Sequence, residues 1–254
     1  MPMERECEIL KRKLLPSGAV LLELAAGDMV TKTCTGPGQF VHIQCGEGRL
    51  LRRPISVCAW TEDTFTIVFE VRGEGTGWLA ERKPGEHLNV LGFLGHGFQM
   101  TPGGKYLLVG GGIGVPPMLG CALNVPGSIA VLGFRSKEKA ILTEEFQAAC
   151  ATVKVATDDG TLGHHGYVDE VVRDIIDKEK GFTSILACGP RPMLKKVAQV
   201  AAEHGVPCQV SMEERMGCGV GACLVCACDM ADGTRKHVCR SGPVFSAEEV
   251  DWNA

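Results

Sequence analysis

At 254 residues with 45% apolar content, the chain is long enough for one large domain or two modest ones with ordinary buried cores. A net charge of -4 speaks against nucleic acid or an anionic membrane surface as the main partner. Thirteen cysteines, an odd number in a chain too long for a small secreted domain, speak against a full disulfide framework. The opening, "MPMERECEILKRKLLPSG", interleaves charge with apolar residues and has no signal-peptide core, so a reducing, cytoplasmic setting is expected in which thiols stay free or bind metal.

The first hundred residues read as β-rich. The runs "AVLLEL", "QFVHIQ", "RRPISVCAW", "FTIVFEV" and "EHLNVLGF" are short, carry β-branched or aromatic residues, and are punctuated by "TGPGQ", "CGEG" and "KPGE". Strands at this spacing predict a barrel or a sandwich. From "KYLLVGG" the pattern changes. Strand candidates "KYLLVGG", "SIAVLGF", "TVKVATDDG" and "TSILACG" alternate with helical segments from Pro116, in "EKAILTEEFQAAC", in "YVDEVVRDIID" and in "PRPMLKKVAQVAAEHG". Such alternation predicts a parallel sheet covered by helices. Tyr106 to Phe134 lacks charge altogether, but its seven glycines and three prolines disfavour a membrane-spanning helix.

The last segment, "RMGCGVGACLVCACDM", concentrates sulfur and bare backbone. Cys218, Cys223, Cys226 and Cys239 have the spacing C-x4-C-x2-C-x12-C. Zinc sites usually present two cysteine pairs, whereas an uneven trio followed by a lone fourth ligand opens like the plant-type [2Fe–2S] pattern. Tetrahedral thiolate suits both metals, so zinc stays open at this level. Gly217, Gly219 and Gly221 can take backbone angles closed to other residues and let N–H groups approach anionic sulfur. Cys228 is either a packed thiol or a substitute ligand. An iron–sulfur centre moves single electrons and performs no substrate chemistry alone, so a second redox group is expected.

Two turns at strand ends suit nucleotides. "LLVGGGIGVPPM" follows a buried strand and opens a helix, where a turn can cradle phosphate or simply make a tight crossing. It departs from the standard dinucleotide fingerprint, which would need Gly where Val115 stands. "LACGPRPML" likewise lies at the carboxyl edge of the sheet, where open α/β folds bind ligands. In "RRPIS", Arg53 can clamp a pyrophosphate and Ser56 can bond a ring nitrogen, or the run is a strand start with a surface arginine. Arg135 in "GFRSKEK" can favour a 2′-phosphate. Asp158-Asp159 reads as a strand-end turn and His164-His165 as neighbours pointing opposite ways.

Together, "LRRPISV", "GEGT", "GGGIGVPPM", "DDGTLGHHGYV", "CGPRPML", "MEERMGCGVGACLVCAC" and "HVCRSGPVF" resemble the electron-transfer subunits of class 1B, NAD-linked dihydroorotate dehydrogenases, within the ferredoxin reductase-like flavoproteins. The resemblance covers nearly the whole chain. It implies an antiparallel β-barrel FAD domain (1–100), a parallel α/β NAD domain (101–207) and a small C-terminal [2Fe–2S] domain (208–254). It implies that FAD meets Arg53, Pro54, Ile55 and Ser56, passes Val68, Phe69 and Glu70, and reaches Gly75 and Thr76 with its phosphates. Gly110, Gly111, Gly112, Ile113 and Gly114, with Cys188, Gly189 and Pro190, would frame NAD, and Cys218, Cys223, Cys226 and Cys239 would ligate the cluster. The implied partner is an FMN-containing subunit that oxidises dihydroorotate in pyrimidine synthesis, in a heterotetramer of two of each chain, with NAD as acceptor despite Arg135. A related diaphorase subunit of a hydrogenase or sulfur reductase is the nearest alternative. The partner surface is expected at Leu91–Phe98 or at the Val220–Val225 loop.

Overall fold

The computed structural model describes residues 3–46 and 48–254; Met1 and Pro2 of the charged opening and Glu47 of the "CGEG" turn lie outside the described residues. The β-rich half contains β1 (Met3–Leu14), β2 (Val20–Ala25), β3 (Phe40–Ile43), β4 (Arg53–Trp60), β5 (Thr64–Phe69) and β6 (His87–Leu94). They close into an antiparallel barrel in the order β1-β2-β5-β4-β3-β6, so the choice between barrel and sandwich falls to the barrel. The charged opening is itself a barrel strand. In β1, Cys7 and Ile9 are buried while their neighbours face water, the period-two pattern of a strand with one covered face. Its two sides pair with β2 and β6, which removes the free edges. Two short helices that periodicity did not announce lie between strands, α1 (Met29–Thr33) and α2 (Glu74–Ala80), the latter starting within "GEGT".

The α/β half runs β7 (Tyr106–Gly111), α3 (Val115–Asn124), β8 (Ile129–Phe134), α4 (Thr143–Ala149), β9 (Thr152–Thr157), β10 (His164–His165), α5 (Val168–Lys178), β11 (Ser184–Cys188), α6 (Arg191–Glu203) and β12 (Cys208–Ser211). Every residue of β7 is buried, as the continuous apolar run predicts for a strand covered on both faces. The uncharged stretch thus divides into β7, α3 and β8, and among the described residues no helix is long and apolar enough to cross a membrane.

The C-terminal segment forms a hairpin of β13 (Ala227–Asp229) and β14 (Arg235–His237), a single helical turn α7 (Val238–Ser241), and β15 (Val244–Ser246). β15 returns to the large sheet and pairs antiparallel with β12, giving the order β10-β9-β8-β7-β11-β12-β15. A division at residue 208 therefore runs through the sheet: β12 pairs parallel with β11, and β15 extends it. One hydrophobic core joins these parts, with Cys226, Cys239 and Phe245 packed alongside Leu107, Val109 and Ile185 of the sheet and Phe40 and Leu94 of the barrel. The cysteine loop is thus anchored in the main core and does not hang from a linker.

Candidate functional site

The four cysteines with ligand spacing come together, and backbone donors surround their sulfurs. Cys218 Sγ accepts N–H groups of Val220 (3.4 Å), Ala222 (3.2 Å) and Cys223 (3.4 Å). Cys239 Sγ accepts from Gly221 at 3.1 Å, Cys223 Sγ from Cys218 at 3.4 Å, and Cys226 Sγ from Cys239 at 3.4 Å. Such donors favour thiolate. Burial pushes the Cys218 thiol up, yet the N–H groups of Val220, Cys223 and Ala222 overcome it and bring the pKa down to about 6. Cys239 behaves oppositely: burial and then Cys226, whose sulfur lies 3.2 Å away, push it up to about 12, with the Gly221 N–H opposing. Four thiolates this crowded cannot coexist without a cation among them.

Their pairing bears on which cation. Cys218 sits with Cys223, and Cys226 with Cys239. Among the described residues the thiols meet two by two, with no group of three or more His, Cys, Asp or Glu side chains gathered at one point. Two pairs of thiols suit a two-metal centre. The loop's glycines divide their roles: Gly219 (φ +73°) and Gly221 (φ +82°) take left-handed backbone, whereas Gly217 sits close to a ligand-spaced thiol, a Cβ there making a tight 3.1 Å contact with Cys223 Sγ. Cys228 packs among the buried core residues and so fits the reading as a structural thiol.

On the barrel, β4 changes partners along its length. Arg53 to Ser56 pair with β3, while the pairing with β5 covers Val57 to Trp60. The first half of β4 therefore keeps one backbone edge free, and all four of its residues are only half-buried. Gly75, buried in α2, admits the Arg53 guanidinium, for a Cβ there would meet Arg53 Nε at 2.5 Å. The Arg53 guanidinium also donates to the Leu51 carbonyl. Thr76 is occupied in capping α2, its hydroxyl accepting from the N–H groups of Arg72 (2.9 Å) and Gly73 (3.2 Å). Phe69 turns its ring into the barrel core, and Val68 packs on the opposite side toward α3. A free strand edge, a half-buried arginine and bare backbone beside it form a shelf that fits a flavin dinucleotide.

The two glycine turns, far apart in the chain, meet at one place. β7 and β11 are parallel neighbours with Cys188 opposite Gly110. Gly114 opens α3 against the end of β11, where a Cβ would stand 2.6 Å from Gly189 N. Gly112 has φ +55° and nothing within 4 Å of where its Cβ would be, so bare backbone faces open space at the carboxyl edge of the sheet. That is a fit for a dinucleotide. Cys188 is half-buried at this edge, its thiol pushed up to about 12 by burial, with Ser211 opposing.

Other expectations resolve individually. Asp159 Oδ1 accepts from Thr161 N (3.0 Å) and Oγ1 (2.6 Å), a turn contact in line with the reading of Asp158-Asp159. His164 pairs with Glu170 at 2.6 Å, and both histidines of the pair are exposed. Arg135 is exposed beyond β8. The Leu91–Phe98 segment does not offer an apolar surface, because Phe93, Leu94 and Phe98 are turned into the cores. Val220, Leu224 and Val225 in the cysteine loop are by contrast 40%, 57% and 58% exposed, and Leu224 holds φ 60°, uncommon for a side chain of its size.

Sequence reasoning missed His42. On β3, Val41 and Ile43 face the barrel core, so Phe40 and His42 face outward. His42 is nevertheless fully buried, because the cysteine loop lies on it: a Cβ on Gly219 would stand 2.6 Å from His42 Nδ1. Burial holds its pKa down to about 4, against a smaller upward pull from the Cys218 backbone. The one available signal was a histidine inside the apolar run "QFVHIQ".

A family model described as the iron-sulfur cluster binding domain of dihydroorotate dehydrogenase B matches residues 213–251, which span the four cysteines. The chain is 41% identical over 217 residues to the dihydroorotate dehydrogenase B (NAD(+)) electron transfer subunit of Caldanaerobacter subterraneus subsp. tengcongensis, covering 84% of this chain and 86% of the relative. It is 44% identical over 237 residues to the protein of the same name from Bacillus pumilus, covering 88% and 89%. Among solved structures it resembles a chain of the NADH-dependent reduced ferredoxin-NADP oxidoreductase studied for flavin-based electron bifurcation, with TM-score 0.86, 32% identity, and 97% and 90% of the two chains covered. The ferredoxin reductase of carbazole 1,9a-dioxygenase shares the fold, with TM-score 0.68, 22% identity, and 81% and 67% covered. Similarity at this level over most of both chains makes this protein a member of the dihydroorotate dehydrogenase B (NAD+) electron transfer subunit family.

Proposed function

We propose that the protein carries electrons from a catalytic partner that oxidises dihydroorotate to orotate, and delivers them to NAD+ in pyrimidine biosynthesis. The observation that carries this reading is the meeting of two sites on one face of the barrel. Phe40 and His42 of β3 stand opposite Ser56 and Pro54 of β4, so the outward face that supports the flavin shelf is the face the cysteine loop covers. When bound, the cluster supplies single-electron transfer and FAD supplies the exchange between single electrons and a hydride. Dihydroorotate loses two electrons and two protons; NAD+ takes up both electrons and one proton, and the other proton goes to solvent.

The chain's own residues hold and align these groups. Cys218, Cys223, Cys226 and Cys239 ligate [2Fe–2S], and the backbone N–H groups around their sulfurs stabilise its negative charge. Arg53 clamps the FAD pyrophosphate, Pro54 to Ser56 offer the free edge of β4 to the ring, Val68 to Glu70 flank it, and Gly75 with Thr76 close the phosphate end. Gly110 to Gly114 receive NAD, with Cys188 to Pro190 on the nicotinamide side. Arg53→Ala removes a charge-assisted contact worth about 1.5–3 kcal/mol. FAD affinity is expected to fall roughly tenfold to a hundredfold. Flavin absorbance after gel filtration measures this, and iron content should stay unchanged.

The partner in this reading contains FMN, assembles with this chain as a heterotetramer in the cytoplasm, and docks over the cysteine loop. Exposed Val220, Leu224 and Val225 support that surface. Leu224→Glu places a charge at its centre and is expected to weaken complex formation at least about tenfold, as loss of a buried apolar anchor does. Analytical ultracentrifugation with the partner reads this, while NADH-driven dye reduction by the isolated chain stays constant. The function itself is tested by mixing purified chain and partner anaerobically: dihydroorotate-dependent NADH formation must appear only with both present. The likeness to a chain of the NADH-dependent reduced ferredoxin-NADP oxidoreductase favours one rival, a diaphorase subunit serving a different partner such as a hydrogenase or sulfur reductase. In that case the mixture makes no NADH, although the chain alone still oxidises it.

A further inference from the structure

The outward face of β3 carries an imidazole whose ring nitrogens make no hydrogen bond of good geometry among the described residues. His42 is fully buried, and neither Nδ1 nor Nε2 makes a hydrogen bond of ordinary length and angle there, although the Cys218 backbone lies close enough to act on the ring. Leaving a buried polar side chain unpaired is unfavourable, and native structures do so where a ligand, ion or water completes the contact. The surroundings narrow the choice. Arg52 holds the strand backbone, donating to the His42 carbonyl at 3.3 Å. Phe40 meets it edge-on with centroids 6.4 Å apart. In front lies Gly219, in left-handed backbone at φ +73°, one residue from Cys218. Any side chain at 219 would strike the ring, with Cβ 2.6 Å from Nδ1. The loop is therefore built to bring the first of the four cysteines against this histidine.

We propose that His42 is a positioning residue for the iron–sulfur centre, its ring N–H hydrogen-bonding a sulfur of the cage whose first ligand is Cys218. The inference rests on the reading of the loop as an iron–sulfur site. A neutral imidazole carries one N–H and one acceptor nitrogen, so one donor is available to the cage. Apart from the Cys226–Cys239 thiol contact, every other donor seen at these sulfurs is a backbone N–H supplied by the loop or by Cys239. His42 is a donor contributed by the barrel, and it ties the cage to the face that carries Pro54 and Ser56. A donor at sulfur stabilises the more negative, reduced cluster, so it raises the reduction potential.

The test uses the full chain, purified anaerobically, as wild type, His42→Leu and His42→Asn. Leu fills the space without a donor; the Asn amide returns an N–H near the position of Nδ1. Iron and sulfide content, flavin content and EPR-monitored redox titration are measured for each. In the Leu variant the one-electron equilibrium of the cluster should shift about tenfold toward the oxidised form, a fall of about 59 mV. The Asn variant should recover most of that shift, and the flavin potential should stay where it is. Pulsed EPR on wild type labelled with 15N-histidine should show a coupled histidine nitrogen that disappears in the Asn variant. An unmoved cluster potential in a fully loaded Leu variant overturns the proposal, as does a shift of the flavin potential alone. If the Leu variant assembles no cluster, the labelled wild type and the Asn variant decide: no histidine coupling, or coupling that survives in His42→Asn, overturns it. Wild type without iron and sulfide would instead sink the reading of the loop, which keeps the two failures apart.

Discussion

Cys223→Ser is expected to yield a folded flavoprotein that oxidises NADH with artificial acceptors yet has lost partner-driven NADH formation by more than about a hundredfold. Removing a ligand is a harsher change than altering an outer contact, which alone costs 10–100-fold in affinity or activity. Cys223 is the exposed member of the four, whereas Cys226 and Cys239 are buried in the main core. Serine there opens no cavity, so loss of stability does not obscure loss of chemistry. Its sulfur accepts the Cys218 N–H at 3.4 Å, so on the proposed reading serine breaks the pair that would hold one side of the centre. Iron and sulfide per chain, flavin per chain and the two activities measured together check this. Intact partner-driven turnover in the serine variant would contradict the assignment of the loop.

Gly114→Ala should destabilise the crossing of the two glycine turns and weaken NADH binding together. Gly114 has ordinary backbone angles, φ -78° and ψ -9°, so conformation is not the reason for glycine here; space is. A Cβ would press into the Cys188 carbonyl and stand 2.6 Å from Gly189 N. Neither backbone group can yield cheaply, because Cys188 is held opposite Gly110 and Ser211 by its neighbouring strands. Overpacking of this kind costs about 1–3 kcal/mol, and in a chain of this size each kcal/mol lowers Tm by roughly 2–4 °C. Gly112→Ala provides the contrast. Gly112 has φ +55° but nothing within 4 Å, so alanine there incurs only the left-handed penalty of roughly 1–2 kcal/mol while its methyl enters the open space. The Gly112→Ala variant should show a raised KM for NADH with a smaller Tm change than the Gly114→Ala variant. Calorimetry and steady-state diaphorase kinetics separate the two effects. Equal KM values for both variants and wild type would remove the nicotinamide from this edge.

Much of the site is legible because its chemistry is written in short spacings. C-x4-C-x2-C-x12-C, "GGGIG" and "CGP" each act through neighbours in the chain, so local pattern suffices to nominate them, though not to choose iron–sulfur over zinc or a phosphate cradle over a tight crossing. The β/α alternation after Lys105 is legible for the same reason, since period and punctuation are local properties. Where side chains face is not local. "LGFLGHGF" looks like a surface patch by composition, yet Phe93, Leu94 and Phe98 are consumed by cores that form between distant elements. The strand character of the charged opening shows only once β2 and β6 pair with it.

By itself, the order of residues determined the class of fold, the four thiols spaced as candidate ligands and, through the family resemblance, the cofactors to expect. Only the tertiary structure decided that β12 and β15 bind the cysteine segment into the main sheet, and that the loop closes over the outward face of β3 onto His42. The physical reason is that both depend on strand register and on which face a strand presents after the chain has crossed from barrel to sheet and back, contacts that no spacing within a single segment can encode.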